Sequence, residues 1–158
     1  MTKILIGFMG AGKSTIAKAL DPNYIDLDQA IVSYLKMPIS QYFEEYGEEA
    51  FRLVESQMLQ EHLGGTRVLS TGGGIVESER NRQLLSQESQ VIYLRAPFEE
   101  LYQRVLSDGQ NHRPLIQGSH KDQVKAIYDR RLALYEEVAD QIIDVAGRSV
   151  EDIVKELK

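Results

Sequence analysis

The sequence predicts an α/β fold, a three-layer sandwich whose helices cover both faces of a five-stranded parallel sheet. Three observations carry that expectation. Short apolar runs alternate with longer stretches of helical period along the chain, the pattern of strand–helix–strand crossovers. The runs are rich in β-branched residues and end in glycine or polar residues, as strands buried on both faces do. The length of 158 residues, 42% of them hydrophobic, argues for a single domain over residues 1–158 with a substantial core.

Lys3 to Gly7 (KILIG) reads as the first strand. A helix from Lys13 to Leu20 stops at Asp21-Pro22, because the residue before proline avoids the helical region. Tyr24 to Leu27 is the second strand and Gln29 to Lys36 the second helix. After Met37-Pro38, Ser40 can cap a helix towards Tyr46, with Gly47 behind it. Phe51, Val54, Met58 and His62 fall at helical spacing and give a longer helix ending at Gly64-Gly65. Arg67 to Thr71 (RVLST) is the third strand, closed by Gly72-Gly73-Gly74. Val76 to Leu85 is helical, Gln90 to Leu94 (QVIYL) is the fourth strand, and Pro97 opens a helix through Leu106. Ser107 to Ser119 holds glycines and Pro114 without a period and reads as a mobile loop. Val124, Ile127, Arg131, Tyr135 and Val138 mark a long helix, followed by a strand from Gln141 to Val145 and a helix from Val150 to Leu157. Right-handed crossovers then set the loops after the strands along one edge of the sheet.

Composition narrows the function classes. Lys plus Arg number 18 against 24 Asp plus Glu, a net charge of −6 that argues against a uniformly basic nucleic-acid binder. The absence of cysteine excludes disulfides, thiolate metal sites and thiol nucleophiles. The first apolar run is broken at Gly7, too short for a signal segment, and no stretch reaches the ~18 apolar residues of a membrane span. The expectation is a cytoplasmic protein without nucleic-acid or membrane partners. His62, His112 and His120 have no metal-ligand spacing.

Gly7-Phe8-Met9-Gly10-Ala11-Gly12-Lys13-Ser14 fits G-x-x-x-x-G-K-[ST] in full, with a strand leading in and a helix leading out. Backbone N–H groups of such a loop turn inward around phosphate oxygens, and the helix N-terminus adds positive potential. Gly10, Ala11, Gly12, Lys13, Ser14 and Thr15 are therefore the candidate nucleotide cradle. Lys13 can bridge the β- and γ-phosphates, and the Ser14 hydroxyl can ligate Mg2+. Asp26-Leu27-Asp28 follows the second strand, where alternate residues face the same way. One carboxylate can hold the magnesium shell and the other accept a hydroxyl proton. Taken alone, Asp28 is as well explained as an N-cap and Asp26 as a turn residue; the phosphate loop favours the functional reading. The third strand ends without the acid on which many P-loop ATPases and GTPases hold magnesium, and no N-K-x-D guanine-reading motif occurs. Both absences point to a small-molecule kinase.

Arg52 and Glu55 lie three apart beside the apolar stripe of Phe51 and Val54. A solvated ion pair is one reading; an arginine steadied by a carboxylate to grip a substrate carboxylate is the other. Gly72-Gly73-Gly74 is either a flexible turn or a place where a substrate ring meets bare backbone. Arg113 is either a solvated loop residue or a phosphate-binding lid arginine.

Set in order, these pieces resemble shikimate kinase nearly end to end. The matching segments are GFMGAGKST, YIDLDQAI, ISQYFEEYGEEAFRLVE, STGGGIV, HRPLI and RLALYEEVAD. The pattern F-x-x-x-G-E-x-x-F-R-x-x-E, from Phe43 to Glu55, is the most family-specific of them. The resemblance implies a P-loop kinase fold with a mobile lid near residues 107–119 and substrate-binding helices near 28–63. It implies transfer of the γ-phosphoryl group of ATP to the 3-hydroxyl of shikimate, with Mg2+ as cofactor, in the chorismate route to aromatic amino acids. By this resemblance Lys13, Asp28 and Arg113 would be the catalytic residues. Asp28 would hydrogen-bond the reacting hydroxyl and serve as base, while Arg113 would swing in with the lid to neutralise the moving phosphoryl group. Asp26 would bind magnesium through water beside Ser14. Arg52 and Arg131 would pair with the shikimate carboxylate, Glu55 would orient Arg52, and Gly73 and Gly74 would close over the ring. Arg113 and Arg148 would complete the nucleotide site. The resemblance points to a monomer whose partners are the small molecules shikimate and ATP.

Two departures stand out. The segment from Lys13 to Asp26 is shorter than usual by about one turn, ~4 residues. Leu106 and Ser107 lack the arginine that often stacks on adenine, for which Arg104 is a candidate replacement one turn earlier. The rival readings are a gluconate-kinase-like or nucleoside-monophosphate kinase and a non-catalytic ATP-binding module. F-R-x-x-E and the triple glycine argue against the first, and the presence of residues for both substrates argues against the second.

Overall fold

The computed structural model describes residues 2–65, 67–107 and 121–158. Among them, β1 (Lys3–Ile6), β2 (Ile25–Asp26), β3 (Val68–Ser70), β4 (Val91–Arg95) and β5 (Gln141–Asp144) form one sheet. Its strand order is β2-β3-β1-β4-β5 and every pairing is parallel. The central place of β1 fits its residues: Ile4, Leu5 and Ile6 are fully buried, with no polar side chain to keep wet. Ile4 stands level with Leu69 on one side and Val91 on the other.

The helices are α1 (Lys13–Leu20), α2 (Leu27–Leu35), α3 (Ile39–His62), α4 (Glu79–Ser86), α5 (Phe98–Ser107), α6 (Lys121–Val138) and α7 (Val150–Leu157). α1 packs on α7 and β3, whereas α3, α4 and α6 form a second group in which α6 lies against β4. These groups are the outer layers of an α/β sandwich. The turns that leave β1, β2 and β3 share one edge of the sheet, as parallel strands require.

Four boundaries differ from the sequence-based expectation, each for a local reason. Asp26 caps α2, its side chain accepting from the amides of Asp28 and Gln29, so the helix begins at Leu27. Pro38, rather than Ser40, occupies the N-cap of α3. The expected break at Gly47 exists in the backbone (φ 87°, ψ 170°), yet the helical turns on either side abut and α3 continues as one kinked element. The expected helix from Val76 divides into a short 3-10 turn (Ile75–Glu77) and α4, because the Ser78 side chain caps α4 by accepting from the Asn81 amide. Residues 108–120, which hold Arg113 and nearly all of the expected lid, lie outside the described residues.

Candidate active site

The turn from β1 into α1 builds the first cleft. Lys13 Nζ donates to the Gly7 carbonyl at 2.5 Å and the Phe8 carbonyl at 3.2 Å, tying the lysine to its own loop. The Ala11 amide closes the loop from beneath by donating to the Phe8 carbonyl at 3.2 Å. The Ser14 hydroxyl lies 3.4 Å from Asp26 Oδ2 and donates to it. The other Asp26 oxygen is committed to the cap of α2. Its carboxylate is therefore fixed at the end of β2, level with Ser70 of β3. Gly10, Gly12, Lys13, Ser14, Thr15, Asp26 and Asp28 line a cavity of about 490 Å3, together with Thr71, Gly72 and Gly73. Arg104, on α5, also lines it and donates to the Gly10 carbonyl at 3.1 Å. Among the described residues, no group of three or more His, Cys, Asp or Glu is gathered to hold a metal.

A second cleft, of about 360 Å3, lies between α3, the triple-glycine turn and α6. Arg52, Arg130 and Arg131 stand in its walls with Asp28, Glu48, Glu55 and Glu77. Arg52 is only 13% exposed and Glu55 1%. Arg52 Nη1 donates to Glu55 Oε1 at 2.9 Å, while Nη2 and Nε reach Glu48 Oε2 at 3.1 and 3.3 Å. Its guanidinium also lies over the Phe51 and Phe43 rings. Behind the pair, Asn81 Nδ2 donates to Glu55 Oε1 at 3.0 Å and the Ser56 hydroxyl donates to Asn81 Oδ1 at 2.5 Å. Burial pushes the Glu55 carboxyl up, against the pull of Arg52 and Asn81, and the charge of Asp28 adds to the push. Burial works against the Arg52 charge too, but Glu55 and Glu48 outweigh it and raise the guanidinium.

The glycines supply room. A Cβ on Gly72 would sit 2.7 Å from Asp28 Oδ1, and one on Gly74 would run into the Arg52 guanidinium, 2.8 Å from Nη1. Gly73 faces Arg131, whose Nη1 would be 3.6 Å from a Cβ there, and its carbonyl accepts from the Tyr135 hydroxyl. Met9, Asp28, Gly72 and Gly73 line both clefts. Asp28 is thus part of the wall between a phosphate loop and an arginine-bearing cleft.

Of the residues singled out from sequence, the structure brings together Gly10, Gly12, Lys13, Ser14, Thr15, Asp26, Asp28, Arg52, Gly73, Gly74 and Arg131. Arg148 lines neither cleft; its guanidinium holds Glu156 at 2.8 Å and the Asp152 carbonyl at 3.3 Å. Sequence reasoning missed Glu48, Glu77 and Asn81. Glu48 was findable, since it precedes Arg52 by one helical turn. Glu77 and Asn81 gave no signal, because their partners Arg131 and Glu55 are 54 and 26 residues away in the chain.

The family model for shikimate kinase matches residues 9–158. The chain belongs to the shikimate kinase family. A shikimate kinase of Streptococcus gordonii is 44% identical over 156 residues, which cover 98% of this chain and 97% of that relative. A shikimate kinase of Enterococcus faecalis is 45% identical over 158 residues, with coverage of 98% and 94%. Among solved structures, shikimate kinase from Acinetobacter baumannii in complex with shikimate superposes with a TM-score of 0.90. It is 32% identical, over 99% of this chain and 89% of that one. As a member of the shikimate kinase family the chain is an ATP-dependent kinase. Among the described residues no helix is long and apolar enough to cross a membrane.

Proposed function

We propose that this chain phosphorylates the 3-hydroxyl of shikimate with ATP, giving ADP and shikimate 3-phosphate. One observation carries the reading: Asp28 lies in the wall shared by the phosphate-loop cleft and the cleft of Arg52 and Arg131. A phosphoryl donor in the first and a carboxylate-bearing alcohol in the second would meet at that side chain. The relative solved with shikimate supports the choice of acceptor.

In this reading Arg52 and Arg131 grip the acceptor carboxylate by charge-assisted hydrogen bonds, and Gly73 and Gly74 leave room for the ring. The amides from Gly10 to Thr15 and the Lys13 ammonium hold the phosphates. The acceptor oxygen attacks the γ-phosphorus, the bond to the β,γ-bridging oxygen breaks, and the hydroxyl proton passes to Asp28. Arg113 keeps its role from the family resemblance, at the moving phosphoryl group, whereas Arg148, outside both clefts and held by Glu156, is assigned none. Arg104 is the arginine that faces the nucleotide in place of one at Leu106 or Ser107.

The donor set near Lys13 fits Mg2+. Ser14 Oγ and Asp26 Oδ2 are hard oxygens 3.4 Å apart, suited to an ion that keeps most of its water. When bound, the ion neutralises charge on the β- and γ-phosphates. The need for ATP supports a cytoplasmic location.

The test is ADP release from Mg-ATP by the purified chain, with and without shikimate, and with gluconate and nucleoside monophosphates as controls. Release that requires shikimate is the expected result. Release driven by another acceptor would overturn the substrate, and no release with any acceptor would overturn the transfer.

A further inference from the structure

Arg130 and Arg131 are adjacent in α6, so the helix sends their side chains about 100° apart. Both nevertheless converge on one carboxylate. Glu77 Oε2 accepts from Arg131 Nε at 2.8 Å and from Arg130 Nη2 at 2.5 Å, while Oε1 lies 3.3 Å from Arg130 Nε. Glu77 and Arg131 are 12% and 9% exposed, whereas Arg130 is 58% exposed. The inner bond is therefore shielded from water and Arg130 covers it from the solvent side. Burial alone would raise the Glu77 carboxyl, but the bonds from Arg130 and Arg131 bring it below the ordinary carboxylate range.

The place of Glu77 in the chain gives this contact its reach. Glu77 ends the 3-10 turn that follows the glycines, and its amide donates to the Gly74 carbonyl at 3.0 Å. Arg82 Nη1, from α4, donates to the Val76 carbonyl at 2.7 Å and steadies the same turn. One side chain thus fixes the glycine wall of the acceptor cleft relative to Arg131 on α6. A guanidinium has five N–H donors in a rigid fork. With Nε held by Glu77 and the ring of Phe8 5.9 Å from its carbon, the plane of Arg131 is set, and Nη1 lies beside Gly73 at the cleft.

We propose that Glu77 is a positioning residue for the acceptor, orienting Arg131 through Nε so that its Nη edge meets the substrate carboxylate. This rests on the assignment of Arg131 to that carboxylate. A Glu77 that merely neutralised charge would behave in the opposite way, since its removal would leave two uncompensated guanidinium groups and tighten the binding of an anion.

The experiment is steady-state kinetics on the full chain with Glu77→Gln, Arg131→Lys and the double variant, varying shikimate and ATP in turn. Glu77→Gln should raise the shikimate KM about tenfold while kcat and the ATP KM stay within about twofold. Arg131→Lys should also raise the shikimate KM. In that background Glu77→Gln should add less than about twofold, because lysine has no Nε–H to orient. An unchanged or lowered shikimate KM in Glu77→Gln, with a raised one in Arg131→Lys, overturns the proposal and leaves the Arg131 assignment standing. An unchanged KM in Arg131→Lys overturns both. Equal effects of Glu77→Gln in the two backgrounds, or a parallel rise in the ATP KM, mean a general structural loss and overturn the proposal. Glu77→Asp keeps the charge one methylene further back and should recover part of the affinity. It carries the same cycle if the glutamine variant does not fold.

Discussion

Asp28 packs so closely on the glycine turn that a Cβ at Gly72 would sit 2.7 Å from its Oδ1. Asp28→Asn keeps the shape and removes the proton acceptor. Turnover should fall by about 10^2- to 10^4-fold while ATP affinity stays near that of the parent. ADP-release kinetics and ATP titration calorimetry check the two halves, and near-normal turnover would remove Asp28 as the base. Gly74→Ala probes the opposite wall. The added methyl would displace an Arg52 guanidinium already held by Glu55 and packed over two phenyl rings. The shikimate KM should rise about tenfold with the ATP KM unchanged, and equal rises in both would refute the local effect. At this scale the sequence was informative where a residue sat inside a contiguous motif. Lys13, Ser14, Asp28 and Arg52 were all visible in that way. Glu77 and Asn81 were not, because their function depends on which distant helix packs against them, and spacing along the chain carries no trace of that.

Between elements, the connection that matters most to the acceptor cleft is the buried chain Ser56–Asn81–Glu55–Arg52 joining α3 to α4. Asn81 is fully buried and satisfies partners on both sides. Asn81→Ala should leave those partners unpaired and cost about 1–3 kcal/mol, read from urea unfolding. It should also raise the shikimate KM, since Glu55 would lose the tie that holds it under Arg52. A loss of stability without a change in KM would separate the network from the cleft. Element types and order were legible because apolar runs and helical spacing are local properties. The boundaries followed less well where a cap decided them. Asp26 and Ser78 each accept an amide hydrogen bond that starts a helix or divides one, and several nearby polar residues are equally plausible caps until the turn is built.

For the molecule as a whole, pH is the lever on stability. Glu77 is held below its ordinary range because Arg130 and Arg131 outweigh burial, and Asp144 because of its bond from Arg95. A depressed carboxyl adds stability above its unfolded value, about 4.3 for glutamate, and that stability is lost as pH falls through the folded value. Glu55 acts in the opposite sense, since burial raises it. The difference in melting temperature between the parent and Glu77→Gln should therefore be largest near neutrality and shrink below about pH 4.3. Scanning calorimetry across that range measures it, and a constant difference would show that the charge of Glu77 contributes nothing. Met9, Asp28, Gly72 and Gly73 belong to both clefts at once. A wall with an occupant on each side cannot yield to one without changing the space left to the other. Thermodynamic linkage then requires reciprocity: whatever factor the nucleotide applies to the affinity of the acceptor, the acceptor applies to the nucleotide. Any cooperativity between the two substrates is therefore equal in both directions.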